Sequence, residues 1–297
     1  MLAETGTATS TDAYGPAGAA RPQAAAAAFS ALSYSALIRT YNCESTLPHT
    51  LECLQRQTQP PAQYIFVDSG STDRTLSLVP PGSIIHTFQG REFNYAEALN
   101  QGLAYVSTEY VLIISSHTTL SEPSAVEYAL RLLSGTDEIA AAYFTGEGTG
   151  DPPDHRIISK DSFTGFNGMW NTCALIKVAM LRKRGFRPEV FSAEDQEWAS
   201  WLFASEGKVT ARITGCGMQV HNPRKHSRKK RLNEYISIAY FSNRSLLRPG
   251  NVLRIGLRAL SLREPQMSLQ ERLFHAELML RLVGCWFFRP RGKSRYF

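Results

Sequence analysis

From residue 34 onwards, short runs of apolar residues alternate with stretches in which apolar residues recur at helical spacing. This alternation predicts βαβ units, and so an α/β fold with a mainly parallel central sheet flanked by helices. Strands are predicted at 34–38, 64–67, 84–87, 110–114 and 139–144. Helices are predicted at 47–54, 94–106, 123–133 and 195–204.

The two ends of the chain depart from this alternation. Residues 1–32 are rich in Ala, Gly, Thr and Pro and hold little that could fill a core, which predicts a disordered tail. A signal peptide is not expected there, because Glu4 stands where a basic cluster would be needed. Residues 232–297 mix arginines with apolar residues at helical intervals, which predicts a helical, basic C-terminal extension after a central domain over 33–231.

Composition narrows the setting. The 297 residues suffice for one large domain with appendages, and no stretch offers the roughly 18 uninterrupted apolar residues of a spanning helix. The five cysteines are odd in number and scattered, which favours a reducing, cytoplasmic setting over a zinc site or a redox dithiol. The net charge of +6 implies an anionic partner, and the basic residues concentrate in the last third of the chain.

Two segments in the last third of the chain are candidates for binding an anion or a membrane surface. The basic run at 224–231 can be a solvated face, contact anionic lipid, neutralise a bound diphosphate or, least favoured, contact nucleic acid. Residues 273–288 are followed by Arg-Pro-Arg and predict either a helix packed on the domain or an amphipathic segment on a membrane surface.

Parallel α/β sheets bind ligands beyond the carboxyl ends of their strands, so the loops there carry the candidate chemistry. Arg-Thr-Tyr-Asn follows the first strand at 39–42, Asp-Ser-Gly-Ser-Thr-Asp follows the second at 68–73, and Ser-Ser-His-Thr follows strand 110–114. Two adjacent carboxylates, Glu194 and Asp195, open the last predicted helix.

These stretches together resemble family-2 glycosyltransferases. The resemblance spans residues 33–221 and rests on the segments 40–42, 57–58, 67–73, 93–95, 100–102, 165–171 and 194–202. Each motif is short, but their order and spacing are specific. The resemblance implies the GT-A fold and the transfer, with inversion, of a sugar from a nucleotide-diphospho-sugar.

The resemblance also implies a set of residues that bind the nucleotide-sugar. They are Thr40, Tyr41, Asn42, Asp68, Ser69, Asp73, Asn100, Ser115, Ser116, Trp170 and Asn171. Asp68 is implied to accept a hydrogen bond from the base, and the alternative is that it caps its own turn. For Asp73 a capping role is as well supported as a ligand contact. Trp170 either stacks on a sugar or packs in the core.

Inverting transfer needs a base that takes the proton of the acceptor hydroxyl, and Asp195 is the candidate. Glu194 beside it would raise its proton affinity through like-charge repulsion. Glu197, one turn on, is expected to face solvent. The alternative is that Glu194 and Asp195 are only charges favoured at a helix N-terminus.

Members of the family usually hold a divalent ion on the leaving diphosphate with an Asp-X-Asp motif, whose place Ser115-Ser116-His117 takes here. This Ser-X-His variant keeps one metal-binding side chain, and imidazole suits Mn²⁺ better than Mg²⁺. His221 is a second candidate ligand, with a purely structural role as the alternative. Without a metal, the run at 224–231 would neutralise the diphosphate.

The leading hypothesis is a cytoplasmic glycosyltransferase, peripheral on the inner face of the plasma membrane, that acts on a polysaccharide or lipid-linked acceptor. No nucleic-acid partner is expected. A sugar-nucleotide nucleotidyltransferase is disfavoured, because the loop at 39–42 lacks a glycine-rich phosphate-binding pattern. A catalytically inactive sugar-nucleotide-binding protein of the same fold is favoured by the missing Asp-X-Asp and opposed by the Glu194-Asp195 pair.

Overall fold

The computed structural model describes residues 32–221, 227–260 and 267–292. The predicted tail at 1–32 lies outside these ranges except for Leu32, as do residues 222–226 of the basic region and the last five residues. The described residues from Ser33 onwards belong to one compact unit.

The described residues contain ten strands. They are β1 (Tyr34–Thr40), β2 (Gln63–Asp68), β3 (Ile84–Thr87), β4 (Tyr110–Ser115), β5 (Thr118–Leu120), β6 (Ile139–Phe144), β7 (Asp154–Ile158), β8 (Cys173–Lys177), β9 (Val209–Thr214) and β10 (Met218–Val220). Eight of them form one sheet in the order β3-β2-β1-β4-β8-β6-β9-β7, and β5 pairs with β10 in a separate ladder.

The large sheet is mostly parallel, as predicted. Strands β3, β2, β1 and β4 run parallel, and β6 pairs parallel with β9. Strand β8 is antiparallel to β4 and β6, and β7 is antiparallel to β9. The five predicted strands correspond to β1–β4 and β6. Strands β4 and β6 are buried along their whole length, which is why they show as continuous apolar runs.

Helices flank the sheet and continue beyond it. The described helices are α1 (Leu47–Gln55), α2 (Tyr95–Leu103), α3 (Ala125–Ser134), α4 (Val178–Lys183), α5 (Glu194–Trp201), α6 (Arg228–Ser237), α7 (Pro249–Leu260) and α8 (Leu269–Phe287). The four predicted helices correspond to α1, α2, α3 and α5, and π-helical turns extend α5 over Leu202–Glu206 and α6 over Ile238–Ser242. None of the described helices is long and apolar enough to cross a membrane.

Two contacts show how the sheet is covered. Helix α2 approaches β1 and β2 closely at Gly102, where a Cβ would meet the side chains of Leu37 and Val67. The same helix is capped by Asn94, the residue before it, whose side chain accepts a hydrogen bond from the Glu97 backbone N–H at 3.1 Å. All five cysteines are buried thiols within this packing.

The C-terminal helices form a second hydrophobic cluster. Its buried members are Phe191, Leu232, Ile236, Ala239, Val252, Phe274, Leu278, Leu282 and Cys285. Phe191 precedes α5, and the remaining members lie on α6–α8 and the π-helical turn after α6. The predicted C-terminal extension is therefore helical where it is described. Its predicted start at residue 232 falls inside α6, and the division of the chain into domains stays a prediction.

Candidate functional site

A cavity of about 660 Å³ lies beyond the carboxyl ends of β1 and β4. Arg39 and Ser115, from the ends of these strands, form one wall with His117. The start of α5 and the loop before β8 form the next wall, and α6, α7 and α8 close the other side. The cavity is therefore where an α/β sheet of this kind is expected to bind its ligand.

The adjacent carboxylates of Glu194 and Asp195 line this cavity at the start of α5. They follow Ala193, a non-glycine residue in the left-handed conformation (φ 55°, ψ 44°). Such a conformation costs roughly 1–2 kcal/mol in an L-residue. The turn at Ala193 is thus a strained conformation that the surrounding packing holds in place, next to the two acidic groups.

Asn171 joins the two carboxylates. Its backbone N–H donates to Asp195 Oδ2 at 3.0 Å, and its side-chain Nδ2 donates to Glu194 Oε1 at 2.8 Å. The Gln196 backbone N–H donates to Asp195 Oδ1 at 2.8 Å. Both acidic groups are therefore oriented by the loop before β8 and by the first turn of α5.

The surroundings of Asp195 favour its protonated form. Burial, the largest cause, and the charge of Glu194 raise the pKa of Asp195 from 3.8 to about 7. Glu234 on α6 raises this pKa slightly further, whereas the N–H donors of Asn171 and Gln196 lower it. A carboxylate with a pKa near neutrality suits a general base, because it can take a proton and still be ionised at working pH.

Arg39 is a site residue that the sequence analysis did not assign. Its Nη1 lies 3.9 Å from Glu194 Oε1, and its guanidinium stacks over the Tyr95 ring at 4.8 Å. Nη1 is buried and makes no hydrogen bond in the described part of the chain. A buried donor of this kind is available to an acceptor oxygen of a ligand. Its position at the carboxyl end of β1 was the only sequence signal.

The prediction that Glu197 faces solvent is wrong. Glu197 is only 4% exposed and forms ion pairs with Arg184 and with Arg187, whose Nη1 lies 3.3 Å from Glu197 Oε1. Helix α5 is packed against neighbours on nearly every side. It therefore has no solvent-exposed face on which Glu197 could lie. Gln196, also missed, fixes the cavity wall by accepting from the Gly168 N–H at 2.8 Å.

Asp68 is engaged by its own turn and by β1. Its Oδ1 accepts from the hydroxyls of Thr40 (2.9 Å) and Ser71 (2.6 Å). Its Oδ2 accepts from the backbone N–H groups of Gly70 (2.9 Å) and Ser71 (2.8 Å). All four lone-pair positions of the carboxylate are thus filled, and a nucleotide base would have to replace one of these donors.

Asn42 and Asp73 join the loop after β1 to the loop after β2. Asn42 is in the left-handed conformation (φ 44°), and its Oδ1 accepts from the Thr72 N–H at 2.8 Å. Asp73 accepts from the N–H groups of Thr75 (2.9 Å) and Glu44 (3.1 Å). Burial alone would raise the pKa of Asp73, but its hydrogen bonds with Thr75 and Glu44 outweigh burial and lower it. Asp73 therefore caps the 3₁₀ turn that follows it.

The structure divides the predicted site residues into groups. Those that line the cavity are Ser115, His117, Trp170, Asn171, Glu194 and Asp195. Those in the two joined loops at the ends of β1 and β2 are Thr40, Tyr41, Asn42, Asp68, Ser69 and Asp73. Ser116 is buried beside the cavity-lining Ser115 and His117. Asn100 lies apart from the cavity, with its amide bonded to the backbone O and N–H of Phe186.

The two histidines predicted as metal ligands are neighbours with different surroundings. The His221 N–H donates to the His117 carbonyl at 2.6 Å, which continues the β5–β10 ladder. His117 lines the cavity, whereas the His221 Nε2 lies 2.9 Å from Thr119 Oγ1 and its ring lies near that of His49. Within the described ranges, no three His, Cys, Asp or Glu side chains are grouped to hold a metal ion. His117 and His221 can hold a divalent ion only if the substrate supplies most of the ion's ligands.

The described part of the basic run lies partly in the cavity wall. Lys230 and Arg231 line the cavity. Arg231 also forms an ion pair with Glu271 at 2.6 Å and stacks over the Phe274 ring at 4.2 Å, so it ties α6 to α8. Part of the run, Arg224 and Lys225, lies outside the described residues.

Comparison with known proteins finds a family match. Residues 35–191, just over half of the chain, match the family described as Glycosyl transferase family 2. The chain is 28% identical over 94 residues to the O-antigen chain rhamnosyltransferase RfbN of Salmonella typhimurium, a match that covers 31% of this chain and 30% of that protein. It is 27% identical over 135 residues to the poly-beta-1,6-N-acetyl-D-glucosamine synthase of Staphylococcus epidermidis, covering 44% and 30%. The chain thus spans under a third of either relative.

Solved structures share the fold at low sequence identity. TarS 1–349 of S. aureus has a TM-score of 0.54 at 14% identity, over 85% of this chain and 81% of that one. The mannosyltransferase PcManGT of Pyrobaculum calidifontis, in complex with GDP-Man and Mn²⁺, has a TM-score of 0.55 at 17% identity, over 85% of each chain. Glucosyl-3-phosphoglycerate synthase of Mycobacterium tuberculosis, with Mn²⁺ and UDP, also reaches 0.55 at 17% identity, over 72% and 82%. These likenesses show the GT-A fold.

Proposed function

Because the chain belongs to glycosyl transferase family 2, we propose that it transfers one sugar from a nucleotide-diphospho-sugar to a polysaccharide or lipid-linked acceptor with inversion. The observation that carries this proposal is the placement of Asp195 in the cavity, beside Glu194 and with its pKa raised to about 7. The names of the relatives, a rhamnosyltransferase and an N-acetylglucosamine polymer synthase, support a hexosyl or deoxyhexosyl donor.

The proposed reaction is a single displacement. Asp195 takes the proton of the acceptor hydroxyl, and the acceptor oxygen bonds to the anomeric carbon from the face opposite the diphosphate. The bond between the anomeric carbon and the diphosphate oxygen breaks, and the nucleoside diphosphate leaves with the electron pair. Glu194 keeps the proton affinity of Asp195 high, and Asn171 holds both carboxylates in place.

The cavity offers several positive charges for the leaving diphosphate. Arg39 lines one wall of the cavity, and Lys230 and Arg231 line the opposite wall. In the proposed function, His117 would help to hold a divalent ion, Mn²⁺ rather than Mg²⁺, which neutralises charge on the diphosphate. The Mn²⁺ in the complexes of PcManGT and glucosyl-3-phosphoglycerate synthase supports this proposal. His221 would either hold the chain in place through its hydrogen bond with Thr119 or be a second ligand of the same ion.

The joined loops after β1 and β2 are proposed to bind the nucleotide. Two hydrogen bonds hold these loops in one conformation: the Thr40 hydroxyl donates to Asp68, and the Thr72 N–H donates to Asn42. Tyr41, Ser69 and the exposed atoms near them would contact the base and ribose. Asn100 would act on this site only through the backbone of Phe186.

The setting of the reaction is also a proposal. A cytoplasmic enzyme bound peripherally to the inner face of the plasma membrane would meet both a soluble nucleotide-sugar and a lipid-linked acceptor. The five buried cysteines agree with a reducing compartment.

The donor class and the metal requirement can be tested together. The purified protein is titrated calorimetrically with UDP, GDP and dTDP, each with and without Mn²⁺. Binding of one nucleotide only with Mn²⁺ supports an ion at His117, and His117→Ala should then lose the metal-dependent part of the affinity. Metal-independent binding that is lost in Arg39→Met or Lys230→Met would show that the cations of the cavity neutralise the diphosphate instead of a metal ion.

Catalysis is tested with the nucleotide-sugar that binds. Release of the nucleoside diphosphate is compared between the wild-type protein and Asp195→Asn. A large difference supports the transferase. Nucleotide-sugar binding without any turnover, with or without acceptor, would identify an inactive binding protein of the same fold.

A further inference from the structure

Helices α7 and α8 pack side by side in opposite directions. Three contacts define the seam between them and its surroundings: Trp286 Nε1 donates to the Leu247 carbonyl just before α7 (2.8 Å), Gly256 lies against Met279, and Arg272 donates to the Ala259 carbonyl (3.3 Å). The first residues of α7 therefore lie beside the last residues of α8. We call the two helices together the α7–α8 hairpin.

On both helices, the residue that follows a seam residue is a large, exposed apolar side chain. One step along a helix turns the side chain by about 100°, and in antiparallel helices this turn leads to the same side of the pair. The seam residues on the two helices are Gly256, Ala259, Arg272, Met279 and Trp286. The residues that follow them, in the same order, are Leu257, Leu260, Leu273, Leu280 and Phe287. With Leu253 and Leu269, one turn away, they form what we call the outer face, and these seven side chains are 49–76% exposed.

The residues that precede the seam residues point the opposite way. Ile255, Arg258 and Leu278 each come one position before a seam residue, and all three line the cavity that holds Asp195. The hairpin therefore has an inner side that forms a wall of the proposed active site and an outer face made of leucines and a phenylalanine.

The outer face is a concentration of exposed apolar surface. Among the described residues, nine of the sixteen exposed large hydrophobic side chains lie between Leu253 and Phe288. Single exposed leucines are ordinary on a protein surface, but two adjacent rows along one face mark a surface that something covers.

The charge around the outer face indicates what covers it. Residues 235–260 contain no Asp or Glu but four arginines, of which Arg244, Arg248 and Arg254 are exposed outside the cavity, whereas Arg258 lines the cavity. Residues 286–292 likewise contain two basic residues, Arg289 and Arg291, and no acidic one. An apolar face bordered by cations matches the acyl region and the phosphate head groups of an anionic bilayer.

We propose that the outer face of the α7–α8 hairpin docks on a membrane surface of anionic phospholipid. The leucines and Phe287 enter the boundary of the acyl chains, and the bordering arginines lie among the phosphates. Docking itself does not depend on the transfer reaction. Its benefit to a lipid-linked acceptor, which would reach the cavity across the same two helices, rests on the proposed function.

Flotation of the full chain with lipid vesicles tests the docking. Vesicles of phosphatidylcholine alone are compared with vesicles that contain about 30% phosphatidylglycerol. The triple variant Leu253→Ser, Leu257→Ser, Leu280→Ser should lose at least about tenfold in partitioning to anionic vesicles. The matched control Leu76→Ser, Ile85→Ser, Ile157→Ser changes three exposed apolar residues elsewhere and should float like the wild type.

The charge component is tested separately. Arg248→Gln with Arg254→Gln should weaken partitioning to anionic vesicles but leave the weaker binding to phosphatidylcholine unchanged. Raising the salt from about 0.05 M to about 0.5 M should have the same effect on the wild type. This charge variant keeps the apolar surface intact, so it still tests the proposal if the leucine variant folds poorly.

Three outcomes would overturn the docking proposal. They are a wild type that does not float with anionic vesicles, an outer-face variant that floats like its control, and a wild-type dimer in solution that the outer-face variant converts to monomer. The last outcome would show that a second copy covers the face. Hydrolysis of the nucleotide-sugar by the same proteins is a separate measurement, so loss of docking and failure of the transferase function are distinguishable.

Discussion

Asp68 and Asp195 are both aspartates at the carboxyl-end side of the sheet, yet their surroundings give them different tasks. Asp68 accepts four hydrogen bonds from Thr40 and from its own turn. Asp195 accepts two backbone hydrogen bonds and lies beside a second carboxylate, so that burial and the charge of Glu194 raise its pKa to about 7. A carboxylate with four donors organises a loop, whereas a buried one with two donors and a second carboxylate beside it can exchange a proton near neutral pH.

The largest expected effect is on catalysis at Asp195. Asp195→Asn keeps the shape of the side chain but removes the proposed base, so the turnover of the nucleotide-sugar with acceptor should fall by about 10²–10⁴-fold. Affinity for the nucleoside diphosphate, measured by calorimetry, should stay within about twofold of the wild type. Equal turnover by the two proteins would remove Asp195 from the mechanism.

The same comparison predicts an effect on stability at Asp68. Asp68→Ala leaves the Thr40 hydroxyl and the N–H groups of the turn without their acceptor, which should lower the free energy of unfolding by about 2–3 kcal/mol. Urea denaturation measures this loss. Asp195→Ala should lose much less, and an equal loss in both variants would erase the distinction between the two carboxylates.

Glu194 should set the pH range in which Asp195 works. In Glu194→Gln the nearby negative charge is gone, so the pKa of Asp195 should fall. The acidic limb of the plot of kcat/KM against pH should therefore move to lower pH. Glu234→Gln, which removes a weaker charge effect on Asp195, should move it in the same direction but less. A shift to higher pH would contradict the assigned cause.

Arg39 should act with the opposite sign and the smallest effect. Arg39→Met removes the cation 3.9 Å from Glu194, so the negative charge of Glu194 acts on Asp195 without compensation. The acidic limb should then move to higher pH. Arg39→Lys keeps the charge and should leave the limb near its wild-type position. If Arg39→Met and Arg39→Lys give the same profile, Arg39 does not act through its charge.

The sequence predicted the regular part of the fold because buried strands and amphipathic helices leave clear patterns. The two long buried strands β4 and β6 and the helices α1, α2, α3 and α5 were found in this way, whereas α4, which adds Val178 and Leu181 to the core, was not predicted. Three of the five missed strands lack that signal, because β7 is largely exposed at the edge of the sheet and β5 and β10 are only three residues long. The other two, β8 and β9, were missed although β8 is buried at four of its five positions and β9 alternates apolar with polar residues.

The site was predictable in proportion to how local its signals are. The Glu194-Asp195 pair and the loop at 68–73 are contiguous in sequence and were recognised. The environment of Glu197 depends on Arg184 and Arg187, which reach it only in the folded chain. The role of Arg39 likewise depends on its distance from Glu194, more than 150 residues away in the sequence. Tertiary contacts of this kind leave no pattern in a single sequence.

The pH dependence of kcat/KM shows whether Asp195 is the base, because its acidic limb reports the ionisation of the base in the free enzyme. With the nucleotide-sugar that binds, we expect kcat/KM to fall as the pH drops through about 7, and Asp195→Asn to leave a small residual rate without this limb. A wild-type profile that stays flat to about pH 5, where an ordinary aspartate is still ionised, would contradict the assignment of Asp195 as the base.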